Sequence, residues 1–477
     1  MSMTRFDRLA PLEPGADEPL YRQLYDRFRH AISTGVLKPG DRIPSTRALT
    51  RELGLARGTI EAAYALLAAE GYVQPRGQAG TVVTPGLALP VPPPDPVPPM
   101  SDSEQTFPAP LPLRPPSIVP LQMGLPALDA FPRKIWARLG ARHWRAAQAD
   151  DMAYPAAAGL PSLRSEIAAY LQVSRGIACS PEQVFVTAGY RQTLAMILRA
   201  LFQTSQRVWL EDPGYPPTVD VLRAARMDAV SVPVDQDGVV VSAGIEAAAD
   251  AKGVIVTPAH QSPLGVSLSL PRRLALLDWA TRAGAWIIED DYDGEFRYVG
   301  RPLPALKSLD HSGRVLYAGS FSKVLFPGLR LAYVVVPESE IETFRRVSQI
   351  FGGDPPHHSQ AVVTDFIKQG HFGRHIQRMR KLYGERRSTT VAAFEAVLGG
   401  QVRIAPQPGG MHLVAYLNAP LQDTVIADRL WASGLYAQAL SRWSHTGRGE
   451  SALLLSFTNV ASRDEAVRLA RRIRELL

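Results

Sequence analysis

The sequence predicts a multidomain protein: an N-terminal winged helix-turn-helix of the α+β class, followed by a larger C-terminal α/β domain. Three observations predict it. Within residues 20–83, two short helical signals separated by a glycine turn precede a hairpin signal, the order of parts in a winged helix. A proline-dominated run follows. Beyond it, apolar strand-like runs alternate with amphipathic stretches, the pattern of an α/β fold. The boundaries read as 1–84 for the head, 85–117 for the linker and 118–477 for the core, whose large subdomain runs to about 380 with a small subdomain after it.

At 477 residues the chain exceeds one ordinary domain, and 46% hydrophobic residues supply a large core. No apolar run reaches the ~18 residues of a membrane span, and Met1–Asp7 is polar, unlike a signal peptide. A lone cysteine, Cys179, excludes an intramolecular disulfide framework and fits a reducing compartment. The expectation is a cytoplasmic protein with no membrane partner. Formal net charge is +7, and residues 20–80 carry nine Arg/Lys against five Asp/Glu. The basic excess is therefore weighted toward the head, which suits a nucleic-acid partner.

In the head, Leu20, Leu24, Phe28 and Ile32 share one helical face, and Gly35 ends the stretch. Ser45 is placed to N-cap a helix over Thr46–Leu53, closed by Gly54; a second helix runs from Arg57 to about Ala69 with Ile60, Tyr64 and Leu67 inward. Gly71-Tyr72-Val73 then leads through Pro75–Gly80 to Thr81-Val82-Val83, a β-hairpin or wing. The second helix would enter the major groove by its N-terminal end, where Arg57 and Thr59 can reach a base edge or a phosphate. Arg47 is placed for phosphate contact, and Arg76 beside Gly77 would bring the wing to the backbone or minor groove. Any one of these arginines is as well explained as a solvated charge; their layout points to double-stranded DNA.

From Pro85 to about Pro116 proline dominates, so the stretch forms neither helix nor interior strand. It reads as an extended spacer, at ~3 Å per residue.

In the core, Leu163–Leu171 reads as a helix and Gln183–Val186 as a strand, which feeds a helix through Thr187-Ala188-Gly189-Tyr190. Such a turn offers backbone N–H groups and a positive dipole end to a phosphate. A strand at Val208–Leu210 ends in Glu211-Asp212-Pro213-Gly214-Tyr215-Pro216-Pro217, where Tyr215 can stack on an aromatic ring. Another, Gly253–Pro258, is followed by His260-Gln261-Ser262-Pro263-Leu264-Gly265; His260 alone reads as structural.

A third, Ala285–Ile288, runs into Glu289-Asp290-Asp291-Tyr292-Asp293. The carboxylates lack the spacing and histidine partners of a metal site, so no metal is expected. Asp290 instead suits a pyridinium nitrogen, and Tyr292, two residues on, is expected on the same strand face. Finally Gly319-Ser320-Phe321-Ser322-Lys323 lies between two apolar runs, with Arg330 seven residues beyond the lysine. An amine at a strand end with two serines and an arginine beside it suits pyridoxal 5′-phosphate (PLP): Lys323 for the Schiff base, and Ser320, Ser322 and Arg330 for the phosphate.

These motifs carry two resemblances. Pro-Leu-Tyr-x-Gln-Leu, Gly-x-Leu-x-x-Gly-Asp-x-Ile-Pro-Ser-Thr-Arg-x-Leu and Leu-Gly-x-x-Arg-x-Thr resemble the GntR-type winged-helix family. Asp-x-Tyr and Ser-x-Ser-Lys-x6-Arg resemble fold-type I, class I aminotransferases. Joined, they resemble the MocR-type (GabR-like) transcriptional regulators over residues 19–477, apart from the linker. The resemblance implies a head-to-tail, domain-swapped homodimer with PLP, held as an internal aldimine, at the subunit interface; Tyr154 resembles the tyrosine that reaches the partner's phosphate.

Two positions depart from working aminotransferases. Ser262 stands where they carry asparagine, and Leu453-Leu454-Leu455-Ser456-Phe457 lacks the arginine that holds a substrate carboxylate. In the GABA-responsive relative an arginine stands where this chain has Pro217; Arg442 is a candidate substitute that reads more simply as a surface residue. The expectation is a PLP-dependent, DNA-binding regulator that senses an amine effector or PLP itself, and not an enzyme. The alternative is an active aminotransferase with a non-essential head.

Overall fold

The structure is a computed structural model that describes residues 12–13, 18–77, 80–87, 117–298, 304–353, 355–418, 421–447 and 449–477. The polar start Met1–Asp7 and most of the expected linker lie outside the described residues. The chain forms two compact units, Met1–Ala109 and Pro110–Leu477.

In the first unit, α1 (Leu20–Ser33) buries Leu24, Phe28 and Ile32, as the periodicity predicts. In α2 (Thr46–Leu53) the Ser45 side chain accepts the Ala48 N–H at 3.2 Å, and Gly54 ends the helix in the left-handed region at φ 64°. α3 (Arg57–Ala69) turns Ile60, Tyr64 and Leu67 into the same core. The Tyr64 hydroxyl donates to the Pro44 carbonyl at 2.8 Å, tying α3 to the segment before α2. β1 (Val73–Pro75) and β2 (Thr81–Val83) pair antiparallel with Val73 opposite Val83, both buried. Helices this short are marginal alone; the shared core, at about 1.5–3 kcal/mol for each large buried apolar side chain, holds them.

The second unit begins with α4 (Arg133–Ala146) and α5 (Pro161–Arg175). Then come β3 (Val184–Thr187), α6 (Tyr190–Leu201), β4 (Arg207–Asp212), α7 (Pro216–Ala224), β5 (Asp228–Asp235), β6 (Gly238–Val239) and α8 (Val241–Ala248). β7 (Gly253–Val256), α9 (Leu270–Ala283), β8 (Trp286–Asp291), β9 (Val315–Ser320) and β10 (Ala332–Val335) complete one eight-stranded sheet, ordered β3-β10-β9-β8-β7-β4-β5-β6. From β9 through β8, β7 and β4 to β5 the strands are parallel, and β10 is antiparallel to both neighbours. Every residue of β7 is buried, as a parallel strand covered on both faces should be. The carboxyl ends of β4, β7, β8 and β9 therefore open on one edge, where such sheets hold ligands.

α10 (Ile341–Phe351), α11 (His357–Lys368) and the 28-residue α12 (His371–Leu398) lead to β11 (Val402–Ile404), β12 (His412–Leu417), α13 (Asp423–Ala432), β13 (Gln438–Ala439), β14 (Ala452–Ser456) and α14 (Arg463–Arg474). These strands form an antiparallel sheet, ordered β11-β12-β14-β13. Ala415, Leu453 and Leu455 pack with Phe394, Leu469 and Ile473 on one face. Alternation sends His412, Val414, Leu454 and Ser456 to the other. The segment before α4 packs with this small sheet: Leu121 lies in its core, and the Tyr436 N–H donates to Pro120 O at 3.0 Å. Among the described residues no helix is long and apolar enough to cross a membrane.

Candidate functional site

The carboxyl ends of β4, β7, β8 and β9 carry the groups that the sequence singled out. After β9, the Ser322 N–H donates to Ser320 Oγ at 3.2 Å, and buried Phe321, Val324 and Leu325 anchor the loop on either side of Lys323. Lys323 Nζ donates to Gly124 O at 2.9 Å. Gly124 has φ 78°, and a β-carbon there would stand 2.5 Å from that nitrogen. The backbone conformation favours glycine at 124, and a side chain there would displace the lysine's terminal nitrogen.

Arg330 closes the same loop in the left-handed region at φ 53°, which is uncommon for a long side chain. Its guanidinium lies over Gly189, the N-cap of α6 at φ 124°; a β-carbon at 189 would come within 3.1 Å of an Arg330 nitrogen. A glycine cradle, a helix N-terminus and a guanidinium thus meet at one point, the donor set that an anion needs. The Ala188 N–H is engaged by the Gln192 side-chain oxygen. The Tyr190 hydroxyl bonds Thr218 Oγ1 at 2.8 Å.

β8 sorts the acidic run by face. Glu289 accepts the Leu306 and Lys307 N–H groups, both at 2.8 Å, and Asp291 pairs with Arg175 at 2.5 Å and accepts from the Tyr317 hydroxyl at 2.6 Å. Asp290 turns the other way, into a cleft lined by Tyr190, Glu211, Tyr215, Thr257, Ser262 and His445, among others. Burial holds the Asp290 carboxyl well above the usual carboxylate range, neighbouring Asp291, Asp293 and Glu211 add to this, and Lys323 opposes it. Glu211 is pushed up to about 7 by burial, although Thr257 and Gln261 donate to it.

Tyr292 requires a correction. β8 ends at Asp291, so strand alternation does not place the tyrosine. Hydrogen bonds do: its hydroxyl lies 2.9 Å from His260 Nδ1 and also bonds Ser262. His260 Nδ1 is in turn 3.1 Å from Asp293. Burial pushes the Tyr292 hydroxyl up, Asp293 adds to that, and Ser262 opposes it.

Tyr215 forms the lip of the cleft, its ring 5.9 Å from that of Tyr190 and 5.7 Å from that of Trp443. The small subdomain is clamped to this turn: Gly214 N–H donates to Trp443 O at 3.0 Å, and Asp212 accepts the N–H groups of His445 and Thr446 at 2.9 and 3.1 Å. Arg442 does not face the cleft; both Asp428 oxygens hold it at 2.8 and 2.7 Å. Tyr154 is fully exposed and stands apart from the other candidates.

Sequence reading passed over Gly124, Glu211 and the linking role of His260. Glu211 and His260 lie at strand ends, which could have signalled them, whereas Gly124 lies in a loop remote from any strand and its partner Lys323 is distant in the chain.

In the head, Arg47, Arg57 and Arg76 are exposed and Thr59 half-buried. Arg57, the first residue of α3, pairs with Glu61 at 2.7 Å. An exposed pair of this kind is worth only about 0.3–0.5 kcal/mol, so it yields readily to a phosphate or base. Gly77 turns the wing at φ 56° and accepts the Gly80 N–H at 3.1 Å. A β-carbon on Gly80 would meet the Arg42 guanidinium at 2.8 Å; Arg42 is thus an exposed arginine at the wing that sequence reading did not select.

Residues 118–466 match the aminotransferase class I and II family and residues 20–83 the gntR family of bacterial regulatory proteins. The probable rhizopine catabolism regulatory protein MocR of Rhizobium meliloti is 38% identical over 456 residues, 93% of this chain and 91% of its own. The pyridoxine biosynthesis regulator PdxR of Corynebacterium glutamicum is 34% identical over 437 residues, 91% of each chain. Among solved structures, the kynurenine aminotransferase of Pyrococcus horikoshii superposes with a TM-score of 0.68 at 26% identity, covering 75% of this chain and 90% of that one. A GntR head and an aminotransferase core on one chain, matched together by regulators of the same build, show that this protein belongs to the MocR-type family of transcriptional regulators.

Proposed function

We propose that this regulator binds PLP in its core and double-stranded operator DNA through its head, and that a small amine, or PLP itself, alters DNA binding. The observation that carries the reading is the convergence of Lys323, Asp290 and the Arg330–Gly189 cradle at adjoining strand ends. The donor set fits the cofactor. Gly189, Ser320, Ser322 and Arg330 would hold the phosphate, with Ala188 and Tyr190 at the same helix start. Lys323 would provide the amine, Tyr215 the stacking surface, Asp290 the partner of the ring nitrogen, and Tyr292 with Ser262 the contact to the ring hydroxyl. A cationic ring beside Asp290 would favour its carboxylate, against the burial that now keeps it high. Bound there, PLP supplies a carbonyl carbon that accepts an amine and a protonated ring that withdraws electrons.

The head would present Arg57 and Thr59 to the major groove, Arg47 to phosphate, and the wing with Arg76 and Gly77 to the backbone. Tyr154, fully exposed in one protomer, suits a head-to-tail homodimer in which it reaches the partner subunit's phosphate site. A DNA regulator of this kind acts in the cytoplasm. A ligand changes DNA affinity only if it binds the two core conformations unequally.

The test is the visible spectrum of the purified protein with added PLP, beside Lys323→Ala. A band that is lost in the variant supports the reading; no band with excess PLP overturns it.

A further inference from the structure

We propose that His260, held by Asp293, is a positioning residue that fixes the direction of the Tyr292 hydroxyl, so that this tyrosine gives its proton to the ring oxygen of the cofactor. The inference rests on the PLP reading above and gives a role to a residue which that reading leaves unused.

The two ring nitrogens of His260 sit in unlike surroundings. Nδ1 lies 2.9 Å from the Tyr292 hydroxyl and 3.1 Å from Asp293 Oδ2. Nε2 is buried and has no hydrogen-bond partner among the described residues, and neither Asp293 oxygen has one. The imidazole is seated tightly against Gly410, where φ is 89° and a β-carbon would stand 2.1 Å from Cε1 and 2.5 Å from Nε2. A proton carried on Nε2 alone would be buried without an acceptor, and it would leave a bare Nδ1 lone pair facing a carboxylate. A proton on Nδ1 meets the tyrosine oxygen and the Asp293 charge instead. Nδ1 is thus the donor and the Tyr292 oxygen the acceptor.

Once its oxygen accepts from Nδ1, Tyr292 has its own proton to give elsewhere. Ser262 bonds the same hydroxyl and lines the cleft that Asp290 enters. A serine hydroxyl donates or accepts as its neighbour requires, so the His260 N–H, and not Ser262, sets the direction. An oxygen that already accepts is also the stronger donor. In PLP the ring hydroxyl stands next to the carbon that takes the lysine amine, and its oxygen shares the proton of the joining nitrogen. A donor on that oxygen draws off its charge, so the nitrogen loses its proton more easily. Tyr292 and His260 should therefore lower the pH at which the visible band converts. Asp293, Asp290 and Glu211 also face the tyrosine. The ring of His412 is 5.9 Å from that of His260; burial pushes it down to about 4, so it is uncharged at neutral pH. Behind His260, Arg297 donates to Ser267 at 3.4 Å, and Arg175 is paired with Asp291 and Glu295. These groups are common to the variants compared below.

The test uses the full-length protein loaded with PLP, with the visible band recorded from about pH 5 to 10. Wild type is compared with Tyr292→Phe, His260→Phe, the double variant, and His260→Asn, whose amide N–H replaces Nδ1. Tyr292→Phe should raise the midpoint by about one unit, tenfold in proton affinity, and His260→Phe by about half a unit. The double variant should go no higher than Tyr292→Phe, and His260→Asn should stay near wild type. An unmoved midpoint in folded His260→Phe overturns the proposal. So does a double-variant shift equal to the sum of the two, which would mean that His260 acts apart from Tyr292, or a shift in His260→Asn as large as in His260→Phe. A midpoint that Tyr292→Phe leaves unmoved, or a band that does not respond to pH, also overturns it and leaves the PLP reading standing. Absence of any band with excess PLP overturns that reading and this inference with it. If circular dichroism shows His260→Phe to be misfolded, nitrogen NMR of wild type with labelled histidine reads the tautomer directly. The His260 signal is the one that His260→Asn removes, and a bare Nδ1 overturns the proposal.

Discussion

At the scale of single residues, the site depends on groups whose chemistry is altered by their surroundings. Gly189 is the simplest case. Its φ of 124° suits only glycine, and a β-carbon would press on Arg330. Gly189→Ala should weaken PLP binding by about tenfold or more, since strain of this kind costs about 1–3 kcal/mol. An absorbance titration beside circular dichroism separates that loss from misfolding. Glu211 gives a pH dependence. Its folded value of about 7 exceeds the ordinary 4.5, so the folded chain keeps a proton that the unfolded chain has released. The stability it contributes is complete below 4.5 and is lost as pH rises through about 7. Glu211→Gln keeps an acceptor for Thr257 without the titrating proton. In the PLP-free protein, the variant should gain on wild type by roughly 3 kcal/mol between pH 5 and 8, read from denaturant midpoints; parallel pH profiles would refute it.

At the scale of elements, local chemistry and packing agree in the head. Ser45 caps α2 through the Ala48 N–H, so Ser45→Ala should destabilise the head by about 1 kcal/mol, seen as a lower melting temperature of an isolated 1–84 fragment. The wing makes a different prediction. Arg76 is exposed beyond β1, and its N–H donates to Gly80 O at 2.7 Å, which sets the turn. Arg76→Ala should leave the head folded and weaken binding to all DNA sequences alike. It should also reduce the salt-dependence slope by about one, as expected for loss of one phosphate contact. Fluorescence anisotropy at several salt concentrations reads both.

At the scale of the whole molecule, each unit has its own core. A fragment beginning at residue 118 should therefore keep the visible band and bind PLP with the affinity of the full chain. An amine should still shift its band, while any effect of that amine on DNA binding should require both units. A fragment that loses the band would show that the head contributes to the site. Within the core, the clamp from Asp212 to His445 and Thr446 joins the small subdomain to the turn bearing Tyr215. The candidate cleft thus takes groups from both subdomains.

Much of this was legible in the sequence because it is local. Helix periodicity, the Ser45 cap and the glycine stops define the bounds of α2 and α3, and these signals act within a few residues. Lys323, Asp290 and Arg330 stand out because these candidate groups lie at the ends of apolar strands. Tertiary structure alone decided what depends on distant pairs: Gly124 under the lysine, Arg330 over Gly189, and the His260–Tyr292 link that replaces strand alternation. The physical reason is that chain order sets local conformation, while the cost of placing a charge is set by whatever the fold packs around it.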